Sequence, residues 1–372
     1  MLQPEYRIII SGGGTGGHIF PAIAIADALK KRLGHVDILF IGARGRMEME
    51  KVPRAGYPVR GLWISGIQRK LSWKNLSFPL KLVSSMIRAR QIVKKFRPHV
   101  AIGTGGYASG PMLRVASRMG IPSLIQEQNS FPGITNRILA KTVDRICVAF
   151  EGMEKYFPES RIVITGNPVR AEILEMEGSR EEGLRFFGLD PGLKTILVIG
   201  GSQGARSVNQ AIEKHLADIL GEDRQMIWQC GKAFLPQARE KAGSMGAGLA
   251  KRVITLDFIT KMDMAYAAAD IVLSRAGAIA ISELCIAGKP LILVPLPGAA
   301  EDHQTRNAMA LQEKGAAIII NDHELDMKLC EGVGGLILDD GKQRQMQENI
   351  KKLAKPGATE KIVDEVIKLL ER

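Results

Sequence analysis

Cysteine is scarce in this 372-residue chain, with four in all. Cys147, Cys230, Cys285 and Cys330 are far apart, fall in apolar surroundings and form no CxxC pair. That spacing argues against a disulfide framework or a cysteine-rich zinc module and for buried thiols in a reducing compartment. Uninterrupted apolar runs of membrane-spanning length are also missing. Met1-Leu2-Gln3-Pro4-Glu5 leads directly into a strand, without the basic segment and apolar core of a secretory leader, so a cytosolic or membrane-associated protein is expected. Helix-turn-helix, zinc-finger and RNP-type signatures are lacking, which ranks nucleic acid last among possible partners. Acidic residues are few in one half only. Residues 1–170 hold 26 Lys and Arg against 10 Asp and Glu, whereas the remainder holds 25 against 29. A basic half of that kind suits an anionic membrane surface or a phosphorylated substrate.

Short Ile, Leu and Val runs alternate with helix-length amphipathic segments throughout, the pattern of βαβ units and a parallel sheet. In the first half the strand candidates are Tyr6 to Ile10, Asp37 to Ile41, Val100 to Ile102, Ser123 to Gln126, Arg145 to Ala149 and Arg161 to Thr165. In the second they are Thr195 to Ile199, Met226 to Gln229, Arg252 to Leu256, Ile271 to Leu273, Pro290 to Val294 and Ala317 to Ile320. Each set is enough for a doubly wound sheet, so two α/β domains are expected. Gly166-Asn167-Pro168-Val169-Arg170 marks the joint, because Gly and Pro end a strand before a helix begins. Apolar spacing from Ala358 to Leu370 predicts a final amphipathic helix.

Three glycine-rich turns follow apolar runs and open toward helices: Ser11 to His18, Gly103 to Tyr107, and Gly200 to Ala205. Glycine lets backbone approach a ligand closely, and the N–H groups of a helix start favour negative charge, so such turns suit phosphates. Gly12, Gly14 and Gly17 satisfy GxGxxG, which brings a dinucleotide-binding domain into consideration. The second strand lacks the acidic ribose ligand of NAD proteins and runs into Gly42-Ala43-Arg44-Gly45-Arg46, whose arginines leave NADP as a minority reading. A third phosphate-type turn opening the second half argues against an ordinary dehydrogenase.

The segments GGGTGGHIFPAIAIADAL, GTGGYASGP, EQNSFPGITNRILAK, GNPVRAEI, GGSQGARSVN, RAGAIAISELCIAGKPLILVP and DHQTRNA, in this order from about Ile8 to Leu338, resemble the bacterial lipid II-forming glycosyltransferases of the MurG type. The resemblance implies a GT-B fold of two Rossmann-like, doubly wound parallel-sheet domains facing a deep cleft. It implies an N-terminal acceptor and membrane-side domain of residues 1–168 plus a returning helix at 357–372, and a C-terminal UDP-GlcNAc-binding domain of residues 169–356. The implied reaction moves N-acetylglucosamine from UDP-GlcNAc to the C4 hydroxyl of the MurNAc of lipid I with inversion, at the cytoplasmic face of the plasma membrane. No cofactor and no metal are implied, since UDP-GlcNAc is a substrate.

Carried onto this sequence, the donor contacts are Thr15, Gly16, Gly17, Asn129, Arg170, Ser202, Ile259, Glu283 and Gln304. Ser202 falls where the family contacts donor phosphates, and a hydroxyl at a helix N-terminus can stabilise a departing pyrophosphate. Glu283 lies in an apolar helix, Ala278 to Ala287, where an ionised carboxylate needs a partner, and ribose hydroxyls would supply one. Gln304 has the amide chemistry to read sugar hydroxyls, and Ile259 matches the residue whose backbone reads uracil. Gly105, Gly106 and Tyr107 fall on the acceptor side. His18 is the leading candidate for general base because its ordinary pKa lies near neutrality, with Glu127 as rival. Relatives often carry histidine before that glutamate; here it is Gln126.

Between Leu62 and Phe96, apolar residues are interleaved with cations. Trp63, Ile67, Leu71, Trp73 and Phe78, with Lys70 and Lys74, read as a face for an anionic membrane surface, where a polyprenyl-linked acceptor resides. The alternatives are a GT-B transferase with another lipid acceptor such as diacylglycerol, a UDP-GlcNAc epimerase, and a non-catalytic sugar-nucleotide scaffold.

Overall fold

A computed structural model describes residues 6–66, 77–200, 204–298 and 302–372. The chain divides into two compact units, Met1–Val169 with Gly357–Arg372, and Arg170–Pro356.

The first unit holds seven strands: β1 (Tyr6–Gly12), β2 (Val36–Ala43), β3 (Val59–Leu62), β4 (Val100–Gly105), β5 (Ser123–Glu127), β6 (Arg145–Val148) and β7 (Ile162–Ile164), in the order β3-β2-β1-β4-β5-β6-β7. Every pairing is parallel. Parallel strands need crossovers, and helices on both faces explain why β1, β4 and β5 are buried along nearly their whole length rather than alternating. β3 was not among the expected strands. It is a short edge strand, and Arg60 and Gly61 interrupt its apolar pattern.

One face of this sheet is covered by the helix Gly16–Leu33 and the C-terminal helix Ala358–Leu370, whose Ile362, Val363, Val366 and Leu369 join Ile8, Ile10, Ile25 and Leu29 in one core cluster. Arg145 reaches this last helix through Glu365, Nε to Oε2 3.1 Å, and Lys368 holds the other oxygen at 2.6 Å. The opposite face packs Ile9, Leu39, Ile41 and Ile125 against Ala89, Ile92, Met112 and Leu113.

The second unit has six parallel strands: β8 (Lys194–Ile199), β9 (Arg224–Gln229), β10 (Val253–Leu256), β11 (Ile271–Ser274), β12 (Leu291–Leu293) and β13 (Ile318–Ile319), ordered β10-β9-β8-β11-β12-β13. β13 is half as long as the apolar run at Ala317 to Ile320 suggests. The helix Ala278–Ala287 ends where Gly288 adopts the left-handed conformation.

In each sheet the order reverses once, between β1 and β4 and between β8 and β11. Connections leave these neighbouring strands in opposite directions, which opens a crevice beyond their carboxyl ends. All three glycine turns begin at such ends.

Candidate active site

In the first unit, the turns after β1 and β4 interlock. Gly13 donates its N–H to the Gly105 carbonyl at 3.3 Å. A side chain on Gly106, which has φ of +88°, would collide with the Gly13 carbonyl, and one on Gly105 would press on the His18 ring. Only glycine permits this approach. Ser109 Oγ lies 2.6 Å from the Ser11 carbonyl and 2.9 Å from the Gly105 carbonyl, pinning both turns to one hydroxyl.

Thr15 is the N-cap of the helix Gly16–Leu33, in extended backbone and without a side-chain cap, and no acidic residue stands in the helix's first turn. The Gly16 and Gly17 amides therefore belong to a helix start whose positive end is not neutralised by its own side chains. His18 follows immediately. Its carbonyl accepts from Thr104 Oγ1 at 2.9 Å, and its Nδ1 lies 2.9 Å from Gln128 Oε1. Tyr107 is half exposed and lies over Gly66.

Glu127 is buried at the end of β5 with both oxygens engaged. Oε1 accepts from the Asn129 amide at 3.0 Å and its Nδ2 at 3.1 Å; Oε2 accepts from Gly133 N–H at 3.2 Å and Asn136 Nδ2 at 2.9 Å. These bonds tie down the 129–133 loop. A carboxylate that accepts from four donors anchors that loop.

Sequence reasoning passed over two residues here. Glu48, only 1 % exposed, turns its carboxylate into the first glycine turn, accepting from Ala43 N–H at 2.8 Å and Gly14 N–H at 2.9 Å. A side chain on Gly13 or Gly42 would collide with it. The resident negative charge takes the Gly14 amide and repels a pyrophosphate from that point, which corrects the dinucleotide reading of GxGxxG. Arg44, just after β2, donates Nε to the Gly61 carbonyl at 3.2 Å. Gln128 is the other omission. Neither has a motif, because each acts through a partner distant in sequence.

In the second unit, Arg170 and Glu283 form a bidentate pair, with Nε to Oε1 and Nη2 to Oε2 both at 2.7 Å. Glu283 is buried; Arg170 is partly open. Burial pulls the guanidinium pKa down, but the hydrogen bonds and charge of Glu283 outweigh it and the net shift is upward. Nearby, burial first and the charge of Glu283 second raise the Tyr266 phenol well above its usual range. The partner that the apolar helix demanded of Glu283 is thus, without ligand, an arginine.

Ile259 is buried and donates its N–H to Gln229 Oε1 at 3.3 Å. Gln304 lies in the first turn of the helix His303–Gln312 and accepts from Leu296 N–H at 2.9 Å. Beyond β11, Arg275 reaches Ser207 Oγ at 2.7 Å, the carbonyls of Val294 and Pro295 at 3.2 Å each, and Asp322. Ser202 lies outside the described residues, as do Ile67, Lys70, Leu71, Trp73 and Lys74.

Of the remaining membrane-face candidates, Trp63 is half exposed, with Lys81 Nζ 5.9 Å from its ring centre. Phe78 instead packs against the core cluster, so it is a core contact and not an outward anchor. The exposed apolar stripe is made by Leu80, Val83 and Ile87, which share one face of the helix Phe78–Phe96 while Ser85, Ala89, Ile92 and Val93 are buried. No helix among the described residues is long and apolar enough to cross a membrane.

Comparison with known proteins agrees with this architecture. The glycosyltransferase family 28 N-terminal domain matches residues 8–148, and the family 28 C-terminal domain matches residues 195–362. A UDP-N-acetylglucosamine–N-acetylmuramyl-(pentapeptide) pyrophosphoryl-undecaprenol N-acetylglucosamine transferase of Flavobacterium psychrophilum is 50% identical over 99% of this chain and 98% of its own length. The protein of the same name from Bacteroides thetaiotaomicron is 51% identical over 100% of this chain and 99% of its own. Among solved structures, MurG of Acinetobacter baumannii superposes with a TM-score of 0.80 at 28% identity, covering 98% of this chain and 99% of that one. With two doubly wound parallel sheets of the GT-B kind and near-full-length relatives at half identity, the chain belongs to glycosyltransferase family 28.

Proposed function

We propose that this protein transfers N-acetylglucosamine from UDP-GlcNAc to the C4 hydroxyl of the MurNAc of undecaprenyl-pyrophosphoryl-MurNAc-pentapeptide, forming a β-1,4 bond with inversion. The observation that carries this reading is half identity along essentially the whole chain to transferases of that name. The first unit supplies the acceptor contacts, through Gly105, Gly106 and Tyr107, and the base. The second supplies the donor contacts of Arg170, Ser202, Ile259, Glu283 and Gln304, and the first adds the remainder.

The chemistry follows from the side chains. His18 takes the proton of the acceptor hydroxyl as its oxygen bonds to the anomeric carbon, and the bond from that carbon to the UDP oxygen breaks on the opposite face. The leaving diphosphate is stabilised by main-chain amides, by Ser202 and by Arg170. Thr15, Gly16, Gly17 and Asn129 complete the donor contacts. Glu283 binds the ribose hydroxyls, which requires that it exchange part of its pairing with Arg170 for the nucleotide. Ile259 serves uracil and Gln304 the sugar.

The protein works at the cytoplasmic face of the plasma membrane as a peripheral enzyme. The exposed Leu80, Val83 and Ile87, with Trp63 and neighbouring cations, support this, as an interfacial contact combines apolar groups with attraction to anionic lipid.

Purified protein given UDP-GlcNAc with the MurNAc-pentapeptide lipid, with diacylglycerol, or with no lipid tests the reading. Product with the first lipid alone is expected. Glycosylated diacylglycerol would move the activity to another lipid acceptor, and an isomerised sugar nucleotide without lipid would make the protein an epimerase.

A further inference from the structure

We infer that Gln128 is a positioning residue that fixes the tautomer of His18, placing the proton on Nδ1 and the reactive lone pair on Nε2. The inference rests on the reading of His18 as the base and goes beyond it.

The two ends of the Gln128 amide face different neighbours. Gln128 is 1 % exposed, so its amide has to find its partners within the protein. One end of the amide lies 2.8 Å from the Thr104 carbonyl and 3.1 Å from the Gln126 carbonyl, and it also contacts Gln126 Oε1. Backbone carbonyls only accept, so the NH2 group must be at this end. The amide oxygen then faces His18 Nδ1 at 2.9 Å. An amide oxygen likewise only accepts. Nδ1 must therefore be the protonated nitrogen, and the neutral ring keeps its lone pair on Nε2.

Further bonds hold this orientation. Gln126 donates Nε2 to Asn167 Oδ1 at 2.8 Å, which turns Gln126 Oε1 toward Gln128, and Asn167 Nδ2 donates to the Gln128 carbonyl at 3.0 Å. Thr104 links the ends of this network, since its carbonyl receives the Gln128 amide and its hydroxyl donates to the His18 carbonyl. Ring and amide are thereby referred to the same strand, β4. Where a hydrolytic triad orients its histidine with a carboxylate, this chain uses a neutral amide. It fixes the tautomer without adding the charge that would stabilise the imidazolium. Gln126 thus has a role without being a second imidazole: it completes the amide chain that sets the first one.

The test reads the tautomer directly. Protein labelled with 15N at its six histidines is examined by long-range proton–nitrogen correlation at a pH above the ring's pKa, with the His18 signals assigned by their loss in His18→Gln. The Nδ1–H pattern is expected in the wild type. In Gln128→Leu the Nε2–H pattern should appear, with kcat reduced roughly ten- to a hundredfold and KM for both substrates unchanged. An Nε2–H pattern in the wild type, or an unaltered tautomer in Gln128→Leu, overturns the proposal. Should the variant fail to fold, which the other five histidine signals would reveal, the wild-type spectrum decides alone. Full activity in His18→Gln would instead remove the base reading, while the tautomer measurement would still answer for Gln128.

Discussion

The two units wind their sheets in the same way and use the crevice beyond the strand ends differently. In the first, the crevice is lined by neutral groups locked to one another: an imidazole, two glutamines, an asparagine, a threonine and glycine turns in contact. Its buried charges, Glu48 and Glu127, are spent on backbone and side-chain donors that shape the loops. In the second, the corresponding region is organised by guanidinium groups, Arg170 on Glu283 and Arg275 on Asp322. A neutral, rigid environment suits a base that must alternate between charge states. Exchangeable ion pairs suit a ligand that brings its own charge. The sheet order fixes where chemistry can occur, and the residues at the strand ends decide which kind.

The sharpest way to break this division is to remove the imidazole. His18→Ala is expected to lower kcat by about 10²- to 10⁴-fold, the usual range for a positioned base, while titration calorimetry with UDP gives the wild-type affinity. Loss of UDP binding would mean that the two chemistries are not divided between the units as argued.

The next effect belongs to the second unit. Glu283→Ala leaves Arg170 without its partner and removes the ribose contact, so KM for UDP-GlcNAc should rise at least about tenfold, as one good hydrogen-bonded contact is worth on the order of 1.5–3 kcal/mol. Breaking a fully buried pair costs roughly 3–5 kcal/mol; the partly open Arg170 should reduce this to about 1–3 kcal/mol, read as a lower denaturant midpoint. An unchanged KM alongside reduced stability would make the pair structural only.

The first half of this comparison was less legible in the sequence than the second. Helix limits emerged where apolar spacing coincided with a stop signal. Ala278–Ala287 and Ala358–Leu370 were readable to the residue, the first because Gly288 follows it. β3 was not, because an edge strand needs only part of an apolar face. Glu283 stood out as a carboxylate in an otherwise apolar helix, and His18 as an imidazole with an ordinary pKa near neutrality at the mouth of a glycine turn. Gln128 and Glu48 gave no such signal. Gln128 meets its imidazole across 110 residues and Glu48 meets its glycine across 34, and periodicity cannot report a pairing of that kind. Glu127 is visible in sequence as a carboxylate at a strand end, whereas the four donors that engage it are not.

The smallest expected effect separates the units by acid. Two carboxylates of the second unit are held below their ordinary range. Glu324 is lowered to about 2 by hydrogen bonds from Lys328 and Asn321, and Asp326 is lowered by Lys214 and His215. A carboxylate whose pKa is depressed by folding contributes stability that is fully present above its unfolded value and disappears as pH falls through the folded one. For Glu324 that window runs from 4.5 down to about 2. Asp326 is exposed and Glu324 partly so, so the contribution is modest and salt should shrink it. Hydrogen exchange resolved by peptide should show protection around the helix Leu325–Ile337 declining across this window. Glu324→Gln should show lower protection than the wild type at neutral pH, with the gap closing as acid protonates the wild-type side chain. A gap that stays constant down to pH 2 would mean that the carboxylate charge is not what holds this helix start.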